Sequence, residues 1–580
     1  MRSETKLILV VVVVGYATFI LGGLAVGMVI FDSGEDQPDH ADMHMEPTDD
    51  VEDQLPSDFS FTDISADVGI NYTGVSTPGL RGTQSMMGDA GVYTTDYNEN
   101  GLTDVLLIGG EEPILFENTG GTFEETDAIP AVDGIVRTAL FYDHHGDGTD
   151  DLLLLRMNDT PVFFENDGGE FTETEVGYDN DLDLPIGATA GDYTGDGCLD
   201  VFVIQNGDWF NDRPAGLQDY NVSPGEDNGN PNVLFKNDCS EVEVATDAGI
   251  TGERWSLATS FVDLTGNGYA DIHVANDFNR DIIYLNNQDG TFERVELGDR
   301  TNRNGMSSAV GDVTGNGYPD LFVTNVWYPD WVQERIDATS MQIRSEGNNL
   351  LLNAGDGTFE EAAGEYGVEP GGWGWAATVT DLTNDGNIDI FHTTRHMTFR
   401  TADRRFDEDE IDELHRTYHF YQRPVLFQGT ADGFEERRTS QLGFAIHDSR
   451  GVAEFDATGD GSIDLLVADN AGSFALYENT GSTGNALLID VEDHNGGTAI
   501  GAKVEVVTSD ESHVRFLTSS TDYLSQSWRT IHAGVGDETV VEVEVTWPDG
   551  TTHRFDDVQT EQRITVDPSG GIEEEPLNDE

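Results

Sequence analysis

Short apolar runs alternate with polar, glycine-rich punctuation along most of the chain, and the runs recur in a fixed order. A small-residue run comes first, such as Gly187-Ala188-Thr189-Ala190-Gly191 or Trp375-Ala376-Ala377-Thr378-Val379. A polar turn follows, then a strongly apolar run such as Leu465-Leu466-Val467. A third run has the form Leu-Phe/Tyr-x-Asn and leads into Asp-Gly-Thr-Phe, as in Ile283-Tyr284-Leu285-Asn286-Asn287-Gln288-Asp289-Gly290-Thr291-Phe292. Runs this short, bounded by Gly, Asn and Asp, are strands rather than helices. Three or four strands per unit, with units 47 to 75 residues apart, predict a β-propeller in which each unit is one blade.

The two ends of the chain read differently. From Asn485 to about Asp567 apolar and polar residues alternate, as in Val504-Glu505-Val506 and Val541-Glu542-Val543-Glu544-Val545-Thr546-Trp547, which predicts a small β-sandwich. Residues 7–31 are uncharged and mostly apolar, long enough to cross a bilayer as a helix. Arg2 and Lys6 before this run, and Asp32, Glu35 and Asp36 after it, put the body outside the cell. With Leu24-Ala25 as a cleavage site, the alternative is a cleaved and secreted protein. The fold class is all-β: a cytoplasmic start at 1–6, a transmembrane anchor or signal at 7–31, an acidic disordered linker at 32–57, a seven-bladed propeller at 58–482, a β-sandwich-like domain at 483–567 and an acidic tail at 568–580. Residues 59–64 read as an outer strand that completes the last blade and closes the ring, leaving no open sheet edge.

The polar turn between the first two runs carries the chemistry. It is nine residues long and occurs seven times. Position 1 is Asp96, Asp143, Asp192, Asp263, Asp312, Asp381 or Asp456, and position 9 is Asp104, Asp151, Asp200, Asp271, Asp320, Asp389 or Asp464. Position 5 is Asn100, Asp147, Asp196, Asn267, Asn316, Asp385 or Asp460, always followed by Gly. Position 3 is Asn98, His145, Thr194, Thr265, Thr314, Thr383 or Thr458. Oxygen donors on alternate residues of a tight turn suit Ca²⁺, and Gly at position 6 permits the sharp bend that aims them inward. An EF-hand would need a Glu at position 12, where this chain has Leu107, Leu154, Val203, Val274, Val323, His392 and Val467. Up to seven Ca²⁺ ions are therefore expected, held in strand–loop–strand turns. Turn two is the outlier, because imidazole is a poor partner for a hard cation. The alternative is a set of metal-free turns held by Asx hydrogen bonds.

Together these repeats resemble FG-GAP (VCBS-type) repeats, the unit of the integrin α-subunit propeller. The stretches Ile500-Gly501-Ala502-Lys503-Val504-Glu505-Val506, Tyr523-Leu524-Ser525-Gln526-Ser527 and Trp547-Pro548-Asp549-Gly550 resemble the ASPIC/UnbV domain. That order of modules is similar to the cartilage acidic protein family. The resemblance spans roughly residues 58–567 and implies the propeller fold and calcium binding. It implies no particular activity, since propellers host unrelated functions.

Composition narrows the partners. Lys and Arg number 28 against 111 Asp and Glu, a formal net charge of -83. The turns hold only part of that acidity, and the rest reads as a solvated surface adapted to high salt, where self-repulsion is screened. Nucleic acid is excluded as a partner, because no basic patch exists to neutralise phosphates. In the linker His40, Met43, His44 and Met45 could catch a soft metal such as copper, although the tract also reads as a plain tether.

Basic residues are scarce, so their clustering is informative. The loops between second and third strands at roughly 206–231, 325–348 and 395–424 are long and lie on the face opposite the turns. They carry Trp209, Phe210, Trp327, Tyr328, Trp331, Tyr418 and Tyr421, and the third adds Arg400, Arg404, Arg405, His415 and Arg416. Arg137, Arg254, Trp255, Arg303, Trp373, His447 and Arg450 stand at inner-strand entries and should ring the channel mouth on that face. They would form an anion or carbohydrate site, or else pair with neighbouring carboxylates and cap the core.

Cys198 and Cys239 fall on neighbouring antiparallel strands of the third unit, where a disulfide would join them; two buried thiols are the alternative. Asn71, Asn158 and Asn221 begin Asn-x-Ser/Thr sequons. In the C-terminal domain Ser525 and His532 have no orienting carboxylate in sequence, which argues against a catalytic centre there. The expected function is an extracellular, membrane-attached, calcium-binding adhesion or ligand-binding module whose ligand is a protein, a carbohydrate or an anion. A polysaccharide- or surface-polymer-acting enzyme using the channel mouth, and a structural or assembly component of the cell surface, are the alternatives.

Overall fold

The computed structural model describes residues 59–577 except 71, 73–89, 110–111, 208–228, 298–300, 302–303, 328–345, 395–422, 432, 438, 440, 446–447, 471–472, 483, 510 and 520. The apolar segment at 7–31 and the linker lie outside the described residues. Among the described residues no helix is long and apolar enough to cross a membrane.

The protein is all-β, with two single-turn helices among the described residues, at Ser65–Val68 and Ala363–Tyr366. Six antiparallel four-stranded meanders follow one another in the chain. Sheet one runs from Gly91–Thr95 to Phe123–Thr126, sheet two from Val136–Tyr142 to Glu170–Glu173 and sheet three from Pro185–Gly191 to Val242–Val244. Sheet four runs from Trp255–Val262 to Phe292–Glu296, sheet five from Ala309–Gly311 to Phe359–Glu361 and sheet six from Gly374–Thr380 to Gly433–Arg437. Sheet seven is Ser449–Phe455, Asp464–Asp469 and Phe474–Asn479, and its fourth strand, Phe61–Asp63, comes from the other end of the chain. Phe61 stands opposite Asn479 and Asp63 opposite Tyr477.

The second strands are apolar at every position because both of their faces are covered. In Asp151–Arg156, Leu152 and Leu154 pack toward sheet one, while Leu153 and Leu155 pack toward sheet three. Period-two geometry thus splits one run between two cores. The same arrangement joins sheets three and four through Phe202 and Leu257, four and five through Ala275 and Leu321, and five and six through Phe322 and Ile390. Phe391 and Val452 join six to seven, and Leu107 packs with Leu466 across sheets one and seven. Each sheet therefore packs on the next and the last packs on the first.

The C-terminal strands form two further sheets. One orders Ile531–Gly536, Asn485–Val491, Gln562–Val566 and Ile572–Pro576; the other orders Ser512–Phe516, Lys503–Val507, Val540–Thr546 and Thr552–Gln559. The inward positions of the alternating runs, including Val504, Val506, Val543, Val545 and Trp547, make one core between them. A hairpin of Thr521–Asp522 and Ser525–Gln526 leaves this sandwich and pairs in parallel with Gly91–Thr95, Val92 facing Ser525.

Candidate functional site

Each nine-residue turn links the first and second strands of its sheet. In turn four the Asp263 carboxylate accepts the N–H of Asn267 at 3.1 Å on one oxygen and of Gly268 at 2.7 Å on the other. Turns one and five repeat this through Asp96 and Asp312. Gly268 has φ +85°, a conformation that a side chain would strain, which is why position 6 is glycine. Position 3 leans the same way, with Thr194 Oγ1 3.3 Å from Asp192 and Thr265 Oγ1 3.4 Å from Asp263.

The aspartate at position 9 is tied twice. One oxygen accepts the N–H of position 2, as Asp271 does from Leu264 at 2.9 Å. The other reaches the third strand, where Asn286 N donates to Asp271 at 2.7 Å, Asn118 N to Asp104 at 2.7 Å and Asn479 N to Asp464 at 2.8 Å. This explains the Asn that closes each Leu-Phe/Tyr-x-Asn run, whose side chain has a second task. Its amide donates to the preceding turn: Asn166 to Tyr97 O, Asn237 to His144 O, Asn286 to Tyr193 O and Asn353 to Leu264 O, all at 2.8 to 2.9 Å. In sheet six Gly429 takes the place of this Asn and keeps only the bond to Asp389.

The position-9 carboxylates are buried, each beside a buried or half-buried aspartate of position 1. Burial, and after it Asp192 and Asp196, pushes Asp200 up to about 8; burial and Asp263 push Asp271 up to about 7. Two adjacent buried carboxylates are costly to ionise together, and a cation between them would remove the cost. Among the described residues no three His, Cys, Asp or Glu side chains enclose an ion by themselves. A calcium ion would therefore draw on the Thr or Asn of position 3, a main-chain carbonyl or water as well, all oxygen donors that it accepts.

Turn two departs from the set. His145 Nδ1 lies 3.1 Å from Asp151 Oδ2, so position 3 reaches across to position 9 rather than toward position 1. Arg529 pairs with Asp150 beside it and donates to Phe141 O at 2.8 Å. An imidazole thus stands where the other turns carry an oxygen donor, and this turn does not fit a calcium ion as the others do. Turn three is fastened otherwise: Cys198, its seventh residue, is disulfide-bonded to Cys239 with Cα atoms 5.2 Å apart.

The C-terminal sandwich sits on the turn side of the sheets. Arg563 donates to Gly101 O at 3.1 Å, Lys503 to Gly317 O at 3.2 Å, and His532 Nε2 lies 3.2 Å from Gly461 O. Burial lowers the His532 imidazole to about 3, and Ser525 is buried, so neither is a catalytic group facing solvent.

The loop that carries Ser525 is the feature that sequence reasoning missed. It runs along the first strands of the sheets and satisfies their backbone. Leu524 O accepts from Val92 N at 3.0 Å, Gln526 bonds both N and O of Phe141 at 2.9 Å, and Ser519 bonds both N and O of Ala190 at 2.8 Å. Asp522 accepts from Ser308 N at 3.1 Å and Ala377 N at 2.8 Å, and Ser527 Oγ from Glu454 N at 3.2 Å. Thr521–Asp522 also runs against Trp255–Val262. All seven first strands therefore converge on one loop. The sequence offers here only a short uncharged polar stretch, Ser525-Gln526-Ser527, which any turn could carry.

The basic and aromatic candidates are turned inward. Arg254 is buried, donates to Arg280 O at 2.8 Å and pairs with Glu296 at 2.8 Å. Arg450 is buried, bonds Asp448 at 3.0 Å and lies 4.5 Å from the Trp375 ring. Trp255 packs edge-on to Phe278, Arg137 is buried and Trp373 half-buried. The expected ring of solvent-facing forks is thus a set of buried or half-buried residues wherever it is described. Arg303, Arg404, Arg405 and His447, with most of the three long loops, lie outside the described residues.

The FG-GAP-like repeat family matches residues 143–203, 216–323 and 338–392, and the ASPIC and UnbV family matches residues 492–573. Cartilage acidic protein 1 of Homo sapiens is 29% identical over 250 residues, 35% of this chain and 37% of that protein. The Mus musculus protein of the same name is 27% identical over 248 residues, covering 35% and 38%. The chain thus spans little more than a third of the length of the curated relatives it matches. The structure of Saccharomyces cerevisiae Sqt1 aligns with 68% of this chain and 97% of its own at 9% identity and a TM-score of 0.38, too loosely to add to the fold described above. The chain carries FG-GAP-like repeats and an ASPIC and UnbV domain, and it is homologous to cartilage acidic protein 1.

Proposed function

We propose that the seven sheets are the blades of a β-propeller stabilised by calcium, and that the protein is an extracellular adhesion or ligand-binding module. The observation that carries the calcium reading is the turn itself: a buried carboxylate at position 9 beside a second at position 1 that backbone N–H groups hold in the same way in sheet after sheet. Calcium would bind the folded turns and not the unfolded chain, adding stability by mass action. Turn two is left out, so six ions are expected. The disulfide suits an oxidising compartment, and the similar proteins are named for cartilage, a tissue made largely of extracellular matrix. An N-terminal anchor at 7–31 would hold the module at the cell membrane.

The test is thermal unfolding of the full chain at fixed high salt, with calcium against chelator, and ions counted by metal analysis. A large rise in midpoint with about six bound ions per chain supports the reading. An unchanged midpoint with no bound metal overturns it. The ligand is tested separately, by retention of an Arg404→Ala, Arg405→Ala double variant on immobilised uronate and sulfated polysaccharides. Retention lost at an unchanged midpoint supports an anion-binding face; retention equal to the parent excludes these arginines.

A further inference from the structure

Three of the turns place Asn directly before Gly at positions 5 and 6: Asn100-Gly101, Asn267-Gly268 and Asn316-Gly317. Asn-Gly is a chemically fragile pair. The glycine nitrogen, once deprotonated, attacks the asparagine side-chain carbon and expels ammonia to form a cyclic succinimide. Water then opens the ring to aspartate or to β-linked isoaspartate. Glycine favours the attack because no side chain obstructs it.

The closed turn blocks each step of this attack. Gly101 N donates to Asp96 Oδ2 at 2.8 Å, Gly268 N to Asp263 Oδ2 at 2.7 Å and Gly317 N to Asp312 Oδ2 at 2.8 Å. Removing that proton would leave an anion against a carboxylate, which like-charge repulsion opposes. The electrophile is held as well, since Oδ1 of each asparagine accepts the N–H two residues on, from Leu102, Tyr269 and Tyr318, at 2.8 Å. Asn100 and Asn316 are nevertheless exposed, so water and base reach them once the turn opens. The sandwich supplies a contrast within the same chain. Asn495-Gly496 lies on an exposed tip, and Gly496 N has a single, long bond of 3.4 Å to Asp493 O.

We propose that Asn100, Asn267 and Asn316 are conditional deamidation sites, kept as amides by the closed turn and converted when it opens. The aspartate product carries the carboxylate that Asp147, Asp196, Asp385 and Asp460 supply at the same position. The isoaspartate product adds a backbone atom and cannot rebuild the turn. An excursion to the open state is thus recorded covalently, turn by turn.

The inference rests on the turn's hydrogen bonds and not on calcium, so the two can fail separately. The full chain is aged at mildly alkaline pH in high salt, and amide-to-acid conversion is followed at each site by peptide mass mapping. Asn495 should convert at least about tenfold faster than Asn100, Asn267 and Asn316, the ratio expected if the turns are open less than a tenth of the time. Rates within twofold of one another overturn the proposal. In Asp263→Ala, Asn267 should speed toward the rate of Asn495 while Asn100 and Asn316 stay slow. Asn267 remaining slow without its aspartate partner also overturns it. A calcium-dependent midpoint with no protection of the three sites would sink this inference and leave the proposed function standing.

Discussion

The ninth-position aspartate of each turn faces two demands at once. It must accept buried backbone N–H groups from its own turn and from the third strand, and it must do so beside another carboxylate. Replacing Asp271 by Ala leaves Leu264 N and Asn286 N without an acceptor. The expected cost is about 3 kcal/mol, at about 1–3 kcal/mol for each buried unsatisfied donor, measured by denaturant unfolding. The second demand sets a pH dependence. Burial raises Asp104 and Asp271 to about 7 and Asp200 to about 8, above their unfolded values. Ionising them in the folded state is therefore opposed, and the chelated protein should lose stability as pH rises from about 4 to about 8. Calcium should flatten or invert that slope, and midpoints at the two ends of the range, with and without chelator, check it. The turn residues were legible in the sequence because one donor pattern recurs. The inward Arg254 and Arg450 were not, because a short motif cannot distinguish a solvated arginine from one paired with Glu296 or Asp448.

At the scale of strands and loops, the third strand ties the turns together. Asn353 donates from its side chain to Leu264 O at 2.8 Å and to Pro319 O at 3.0 Å, spanning two sheets. Asn353→Ala should cost about 1–2 kcal/mol, while Gly429→Asn should not recover the missing link, because the Cβ would meet Ile388 O at 2.2 Å. The loop at 519–528 tells more. It bonds one or two backbone groups at the first strand of sheet after sheet. Gln526→Ala removes both bonds to Phe141 and should cost about 2–3 kcal/mol, read by unfolding in the presence of calcium. This element could not be read from sequence. Its partners lie up to several hundred residues away, and pairing at that distance leaves no periodic trace. The sandwich strands around it were readable, since their alternation is set by one core.

The whole molecule closes on itself in two independent ways. Sheet seven borrows Phe61–Asp63 from the start of the described chain, and the sandwich sends its loop among the first strands. The disulfide adds a local restraint across 41 residues, and in Cys198→Ser the chain-entropy account predicts a loss of about 4 kcal/mol, checked by thermal unfolding under oxidising conditions. A lost midpoint that reappears when both cysteines are replaced would instead indict the free thiol.

The borrowed strand also decides how the protein answers a mechanical load. A pull on the chain ahead of Phe59 enters the fold at Phe61–Asp63, three residues held by Asn479 and its neighbours and by the Phe61 ring 4.7 Å from Phe444. That strand is at the outer edge of its sheet, so it can peel away while the first strands, gripped by the loop at 519–528, stay in place. Tension would then be released as slack at one seam, and the other sheets would keep their shape under it.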